Sequence, residues 1–240
     1  MTELFVGTSG YSYTAWRGSF YPEKCPPKDM LRVYSESLRT VEINASFYRI
    51  PKADTVRAWA DSVHDDFRFA LKASRRITHN SRLRENDDSL LHFLEVASHL
   101  KRKLGPILFQ LPPNFKKDID RLSAFLEKLP PNGLAAFEFR HDSWSSSDVQ
   151  EVLAAKNVAL CYTGGEGEDG GDLQKVSSWG YLRLRKEGYS DSELRDWALQ
   201  ILAMQWSRVF VYFKHEDEGI APKLAARFSA IFDEEQKSAR

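Results

Sequence analysis

The stretch Phe67-Arg68-Phe69-Ala70-Leu71-Lys72 decides the fold. Successive side chains on a strand point to opposite faces. Phe67, Phe69 and Leu71 therefore share one face, while Ala70 and Lys72 share the other. The apolar face suits cover by a helix. The opposite face ends in a charge, which needs a partner or water. The same pattern recurs along the chain, in Leu4–Ser9, Val41–Asn44, Ile107–Gln110, Ala135–Arg140, Val158–Thr163, Tyr181–Arg185 and Val209–Lys214. In Ala135–Arg140, Phe137 and Phe139 oppose Glu138 and Arg140. In Tyr181–Arg185, Leu182 and Leu184 oppose Arg183 and Arg185.

Helical periodicity fills the intervals. Leu31, Tyr34 and Leu38 form one stripe, Val56, Trp59 and Val63 another. Further helices are expected over Asp87–Leu100, Asp118–Leu129, Ser147–Lys156 and Asp191–Gln205. The last is expected over Pro222–Phe232, with Pro222 in the first helical position. Between the sixth and seventh strands the rhythm breaks. Gly164–Asp172 carries glycines at 164, 165, 167, 170 and 171 among Glu166, Glu168, Asp169 and Asp172, too polar to pack. Only Leu173–Ser178 is left for a sixth helix, which is expected to be shortened or missing. Alternating strands and helices imply a parallel sheet. Right-handed crossovers then favour one α/β domain over 1–240, a closed (β/α)8 TIM-type barrel. The competing doubly wound sheet calls for a phosphate-binding glycine fingerprint after the first strand, and Gly7-Thr8-Ser9-Gly10 is not one.

The chain has 240 residues, with 34 basic and 34 acidic side chains, so nothing in its overall charge points to nucleic acid or a membrane surface. Cys25 and Cys161 lack metal-type spacing and suit a reducing compartment. The N-terminus enters a strand without a basic, then apolar, leader. No apolar stretch approaches the ~20 residues that span a bilayer. A soluble, cytoplasmic protein without membrane contact is expected.

Strand polarity gathers the strand-end residues Ser9, Glu42, Asn44, Lys72, Gln110, Glu138, Arg140, Arg183, Arg185 and Lys214 at one mouth. Five are cations and two are anions, so a neutral chain is locally positive there. Arginine forks bind phosphate or carboxylate. The expected partner is a small anionic ligand, held by Ser9, Asn44, Gln110, Arg140, Arg183, Arg185 and Lys214 with the aromatics Tyr11, Tyr48 and Trp144. Internal ion pairing of Glu42 and Glu138 with arginines is the competing use of these charges. As catalytic candidates, Glu42 or Glu138 is a general base and His141 or His215 a general acid. Lys72 is an anion contact or, if desolvated, a Schiff-base nucleophile.

No metal ligand is assigned. His79, His141 and His215 lie near Glu42, Glu138, Asp142 and the acidic run Glu216-Asp217-Glu218, but without diagnostic spacing, and the cations would repel a metal. A divalent ion stays open without being favoured, and no cofactor is identified. That acidic run also argues against a bare phosphate at the loop after the eighth strand, the usual phosphate cup of such barrels. Tyr11, Tyr13, Trp16, Phe47, Tyr48 and Trp144 can stack on a sugar or nucleobase, or pack the long first loop over the barrel.

Several segments taken together resemble the YecE-like family, domain of unknown function 72. They are Gly7-Thr8-Ser9-Gly10-Tyr11, Glu42-Ile43-Asn44-Ala45-Ser46-Phe47-Tyr48, Phe69-Ala70-Leu71-Lys72 with Thr78-His79, and Leu104-Gly105-Pro106 with Gln110-Leu111-Pro112-Pro113. Glu138-Phe139-Arg140-His141 with Ser143-Trp144, Tyr181-Leu182-Arg183-Leu184 and Tyr212-Phe213-Lys214 complete the set. The resemblance spans nearly the whole chain and implies a TIM-type barrel, but no reaction. Where that family often has a His-Gly pair after strand seven and an Asn-rich end to strand eight, this chain has Arg185-Lys186 and Lys214-His215. Three functions remain open. One is an enzyme on a small anionic substrate, with sugars among the candidates. The second is a metal-dependent nucleic-acid-processing barrel, by fold-level analogy with endonuclease IV-type enzymes. The third is a non-catalytic anion-binding protein.

Overall fold

A computed structural model describes residues 1–84, 88–131, 133–164, 173–214 and 219–238. The described strands are β1 (Glu3–Ser9), β2 (Thr40–Ile43), β3 (Arg68–Lys72), β4 (Leu104–Gln110), β5 (Ala135–Glu138), β6 (Ala159–Gly164), β7 (Trp179–Leu184) and β8 (Arg208–Phe213). Each pairs in parallel with the next, and β8 returns to β1, closing the barrel. The eight apolar runs read from the sequence are these strands, with bounds that differ by up to three residues; β4, for example, begins at Leu104 rather than Ile107, and β5 ends at Glu138 rather than Arg140.

The helices are α1 (Met30–Ser37), the single turn α2 (Ala45–Tyr48) at the end of β2, α3 (Ala53–Asp61), α4 (Ser89–Ser98), α5 (Ile119–Leu126), α6 (Ser147–Ala155), α7 (Asp191–Ala203) and α8 (Ile220–Ser238), and those other than α2 cover the outer face. Two of the helix starts, those of α5 and α7, carry a side-chain cap. Asp118 accepts a hydrogen bond from the Arg121 amide, and Ser190 with Glu193 forms a reciprocal cap on α7. No helix occurs in 173–178, so the sixth strand–helix unit lacks its helix among the described residues. The glycine-rich residues 165–172 lie outside the described residues. The last helix begins two residues earlier than its sequence pattern implied. Pro222 sits in the third position of α8 rather than the first, still within the turn whose amides have no acceptor in the helix.

Outward strand residues form the layer between barrel and helices. Phe67, Phe69 and Leu71 are at most 1% exposed, as are Phe109, Phe137, Leu182 and Leu184. The barrel interior is a separate core of Phe5, Ala70, Leu108, Ala136, Ala159, Cys161, Trp179, Tyr181, Phe210 and Tyr212. At its base Phe5 stacks on Phe210 with ring centres 4.7 Å apart, and Trp179 meets Phe210 edge-on. Above them Tyr181 and Tyr212 lie 5.2 Å apart, with the Tyr212 hydroxyl 2.8 Å from Thr40 Oγ1. The filling thus becomes polar toward the C-terminal ends of the strands.

The β1–β2 seam has its own device. The Tyr34 hydroxyl, from α1, accepts a hydrogen bond from the Thr8 amide at 2.9 Å and donates to Thr40 O at 2.9 Å. Gly7 leaves room for it. A Cβ there would lie 1.9 Å from Thr40 O and 2.9 Å from the hydroxyl. Among the described residues no helix is long and apolar enough to cross a membrane.

Candidate functional site

Two carboxylates and one guanidinium form the floor of the mouth. Ser9 stands opposite Glu42 in the β1–β2 register, and Gln110 stands opposite Glu138 in β4–β5. Arg183, from β7, reaches both carboxylates. Its Nη1 donates to Glu138 Oε2 at 2.8 Å and its Nη2 to Glu42 Oε1 at 3.0 Å. The three side chains are 0–4% exposed. Ser9 Oγ (2.8 Å) and Asn44 Nδ2 (3.2 Å) also donate to Glu42 Oε1, and the Tyr181 hydroxyl donates to Oε2 at 2.6 Å. Glu138 Oε1 accepts from Gln110 Nε2 at 2.6 Å and from Arg185 at 3.3 Å.

Burial alone would push both carboxyls up. Arg183, Tyr181 and Ser9 around Glu42, and Arg183, Arg185 and Gln110 around Glu138, outweigh it and hold both below the usual carboxylate value. Burial also disfavours the charged guanidinium of Arg183, but the two carboxylates override it and raise its pKa. The internal ion pairing weighed from the sequence is therefore realised for both glutamates. Burial, with the adjacent Glu42, pushes the Tyr181 phenol well up, so it stays a hydrogen-bond donor.

Lys72 stands above this floor. Its Nζ donates to Gln110 Oε1 at 2.8 Å and lies 4.3 Å from the centre of the Phe47 ring. The Gln110 amide is thus oriented at both ends, with its oxygen toward the ammonium and its nitrogen toward Glu138. Burial, followed by repulsion from Arg183, pushes the Lys72 amine down to about 8. The one-turn helix α2 follows β2 directly and brings Phe47 over the lysine. Ser46 Oγ lies 2.8 Å from Ile43 O and 2.7 Å from Lys72 O, tying that turn to the end of β3. His79, on the π-helical turn after β3, meets the edge of Phe47 at 4.9 Å. Partial burial, then the nearby Lys72, lowers its pKa.

The remaining cations thin out toward solvent. The Arg185 side chain is 17% exposed, and Arg140 is 42% exposed with its Nε 4.0 Å from Glu138. Lys214 is exposed, level with Arg185 and one layer above Arg183 in the β7–β8 register. Of the five cations expected to converge, Lys72, Arg183 and Arg185 do so around the carboxylates. Arg140 sits at the edge, and Lys214 projects away. His215 and the acidic run 216–218 lie outside the described residues.

His141 is half-buried, and its Nδ1 accepts from the Ser143 amide. Trp144 is a correction. It is 3% exposed, stacks on Phe139 at 4.7 Å and donates from Nε1 to Phe115 O, so its ring packs the scaffold and faces no ligand. Tyr11 is half-buried against Tyr34, within the packed first loop, whereas Tyr48 is 72% exposed. The first loop packs its aromatics on one another, with Trp16 fully buried among Tyr13, Phe20 and Tyr21. Among the described residues no three His, Cys, Asp or Glu side chains group to hold a metal ion. Sequence reasoning missed Tyr181 and the platform role of Phe47. Tyr181 shares the face of Arg183 and Arg185, so alternation was the signal for it.

The family described as protein of unknown function DUF72 matches residues 5–240. The YecE protein of Escherichia coli K12 is 33% identical over 122 residues. That match covers 50% of this chain and 45% of YecE, so the chain spans less than half of that relative. The YunF protein of Bacillus subtilis is 26% identical, with 96% of this chain and 95% of YunF covered. Among solved structures, a DUF72 family protein from Thermotoga maritima superposes with a TM-score of 0.83 at 23% identity, covering 96% of this chain and 99% of that one.

Proposed function

The chain belongs to the DUF72 family, and from that premise we propose that it is an enzyme acting on a small anionic substrate at the C-terminal mouth of its barrel. The substrate carries a phosphate or carboxylate, and a sugar is one fitting body for it. One observation carries the proposal: three cations, Lys72, Arg183 and Arg185, surround two carboxylates in the mouth. Arg183 is consumed by both carboxylates. The surplus charge lies toward the opening, on Lys72 and Arg185, with Arg140 beyond. A small anion placed there meets Arg140 and shares Arg185 with Glu138, while both contacts of Arg183 stay in place.

The floor itself suits electrostatic preorganisation. Its donors and charges are fixed before substrate arrives, and they need no reorganisation as charge develops. Glu42 has both oxygens occupied and is fully enclosed, so it holds Arg183 and Tyr181 in place. Glu138 has both oxygens occupied too, but one of its partners, Arg185, lies toward the opening, so it is the carboxylate that a substrate drawing on Arg185 would free to act as a base. Titration calorimetry with inorganic phosphate at low salt tests the reading. Arg185→Met with Arg140→Ala weakens binding at least tenfold, and added salt weakens it further. Equal binding by the double variant would refute the site. A turnover screen on phosphorylated and carboxylated sugars, with Glu138→Gln as control, tests the enzyme assignment.

A further inference from the structure

We propose that Lys72 is a nucleophilic amine that forms a Schiff base with the carbonyl group of an aldehyde or ketone substrate bearing the anionic group. This deepens the proposed function and rests on it. Three observations support it. The amine ends an inward-facing strand position at the mouth, and it is partly accessible where Glu42, Glu138 and Arg183 are closed off. No carboxylate lies within 4.0 Å of Nζ among the described residues. Its near neighbours are the Gln110 amide oxygen and the face of Phe47. A lysine serving only as a structural charge would be expected beside a carboxylate, as Lys103, Lys117 and Lys156 are.

The charged groups around it divide in sign. Arg183 and Arg185 favour the neutral amine, and Glu42 and Glu138 oppose them. His79 faces it from the turn after β3. With burial added, the amine titrates near 8, so about half of it is neutral at pH 8. An ordinary lysine is neutral there to well under ~1%.

Spatially, Gln110 and Glu138 bridge the amine to Arg185. A substrate whose anion lies on Arg185 can present its carbonyl carbon to Nζ. The nitrogen lone pair forms the C–N bond, and the carbonyl π pair moves to oxygen. One proton passes from nitrogen to that oxygen, and a second comes from solvent. Water then leaves as the C=N bond forms, giving a cationic imine. That cation is the product best stabilised by Glu138 across the Gln110 bridge.

The test is reductive trapping on the full chain. Glyoxylate (an aldehyde with a carboxylate) and glycolaldehyde (its neutral counterpart) are each added with cyanoborohydride between pH 6 and 10, and adducts are mapped by peptide mass spectrometry. At pH 8 Lys72 is expected to label at least about tenfold faster than the exposed Lys24, Lys52 and Lys223. Its rate should climb with pH up to about 8 and level off above it, whereas exposed lysines keep climbing toward pH ~10, and glyoxylate should outpace glycolaldehyde. Lys72→Arg removes that adduct alone, and Lys72→Met serves if the arginine variant does not fold. If both aldehydes label Lys72 selectively and equally fast, the nucleophile stands and the anion site falls. If neither labels Lys72 faster than the exposed lysines while phosphate still binds in calorimetry, the Schiff base is refuted and the anion site stands.

Discussion

Replacing Arg183 by methionine removes the one cation that touches both floor carboxylates. The two contacts, at 2.8 and 3.0 Å, join side chains no more than 4% exposed. Glu138 keeps Arg185 and Gln110. Glu42 keeps Ser9, Asn44 and Tyr181 but has no other cation within 4.0 Å among the described residues. Breaking a buried pair by removing one partner costs about 3–5 kcal/mol, and Glu42 bears most of it. Protonation relieves that cost at about 1.4 kcal/mol per pH unit, which fixes the sign of the pH dependence. In the wild type both carboxyls titrate below their unfolded values. Their stabilisation is complete above the unfolded carboxyl pKa of ~4.3 and is lost as pH falls through the lower folded values. In Arg183→Met, burial, already the largest influence on Glu42, is opposed only by the Tyr181 and Ser9 hydrogen bonds and by Lys72 beyond contact distance, so its folded pKa is expected to move above the unfolded value. The variant therefore loses stability as pH rises from about 5 toward 8, where the wild type is flat. Urea unfolding should give a loss of about 4 kcal/mol at pH 8 and at least about 1 kcal/mol less at pH 5. Adding Glu42→Gln should recover part of the loss at pH 8, because no bare charge is then buried beside the gap. A loss below about 1 kcal/mol, or one equal at both pH values, would refute the reasoning.

Lys72→Met is expected to stabilise the fold at pH 7 by about 1–3 kcal/mol, because the depressed amine (about 8, against ~10.4 unfolded) means that folding disfavours the charged form. The wild type regains this between pH 8 and ~10.4, so the two stabilities should converge there; a variant less stable at pH 7 would contradict the burial penalty. Gly7→Ala should cost about 3 kcal/mol or more in thermal unfolding, because its Cβ would lie 1.9 Å from Thr40 O, whereas Tyr34→Phe, which only strips the bridge between β1 and β2, should cost about 1–3 kcal/mol. Cys25 and Cys161 are both buried and burial pushes the Cys161 thiol well up, so a thiol reagent should find no fast-reacting cysteine in the folded chain and two in urea.

The barrel was legible because each strand carries its instruction locally. Phe69 and Leu71 against Ala70 and Lys72 need only a period of two to be sorted, and the helices outside enforce that sorting over the whole ring. Helix ends were less legible, since a cap depends on which amides are left without acceptors. Pro222 satisfies that condition in the third position of α8 as well as in the first, so the residue alone does not place the start. Trp144 shows a different limit. A tryptophan beside the mouth has the same sequence signature whether it stacks on a ligand or on Phe139, and only the packing of the Phe115 turn decides between them.

The candidate site divides at the same physical boundary. Alternation aims a side chain inward only while the ladder lasts. Lys72 is the last residue of β3, Glu138 the last of β5, and Arg183 lies inside β7, and all three converge. Arg140 lies two residues beyond its strand and swings to the rim. Lys214 is one residue beyond β8; its amide still donates to Leu184 O, yet its side chain stands above the closed floor and meets solvent. Arg185 has the same offset as Lys214 but turns down, because Glu138 lies within reach at 3.3 Å. Burial of two carboxylates thus selects which cations point inward. Two are required for charge balance and three converge among the described residues, and the proposed anion site rests on that third charge.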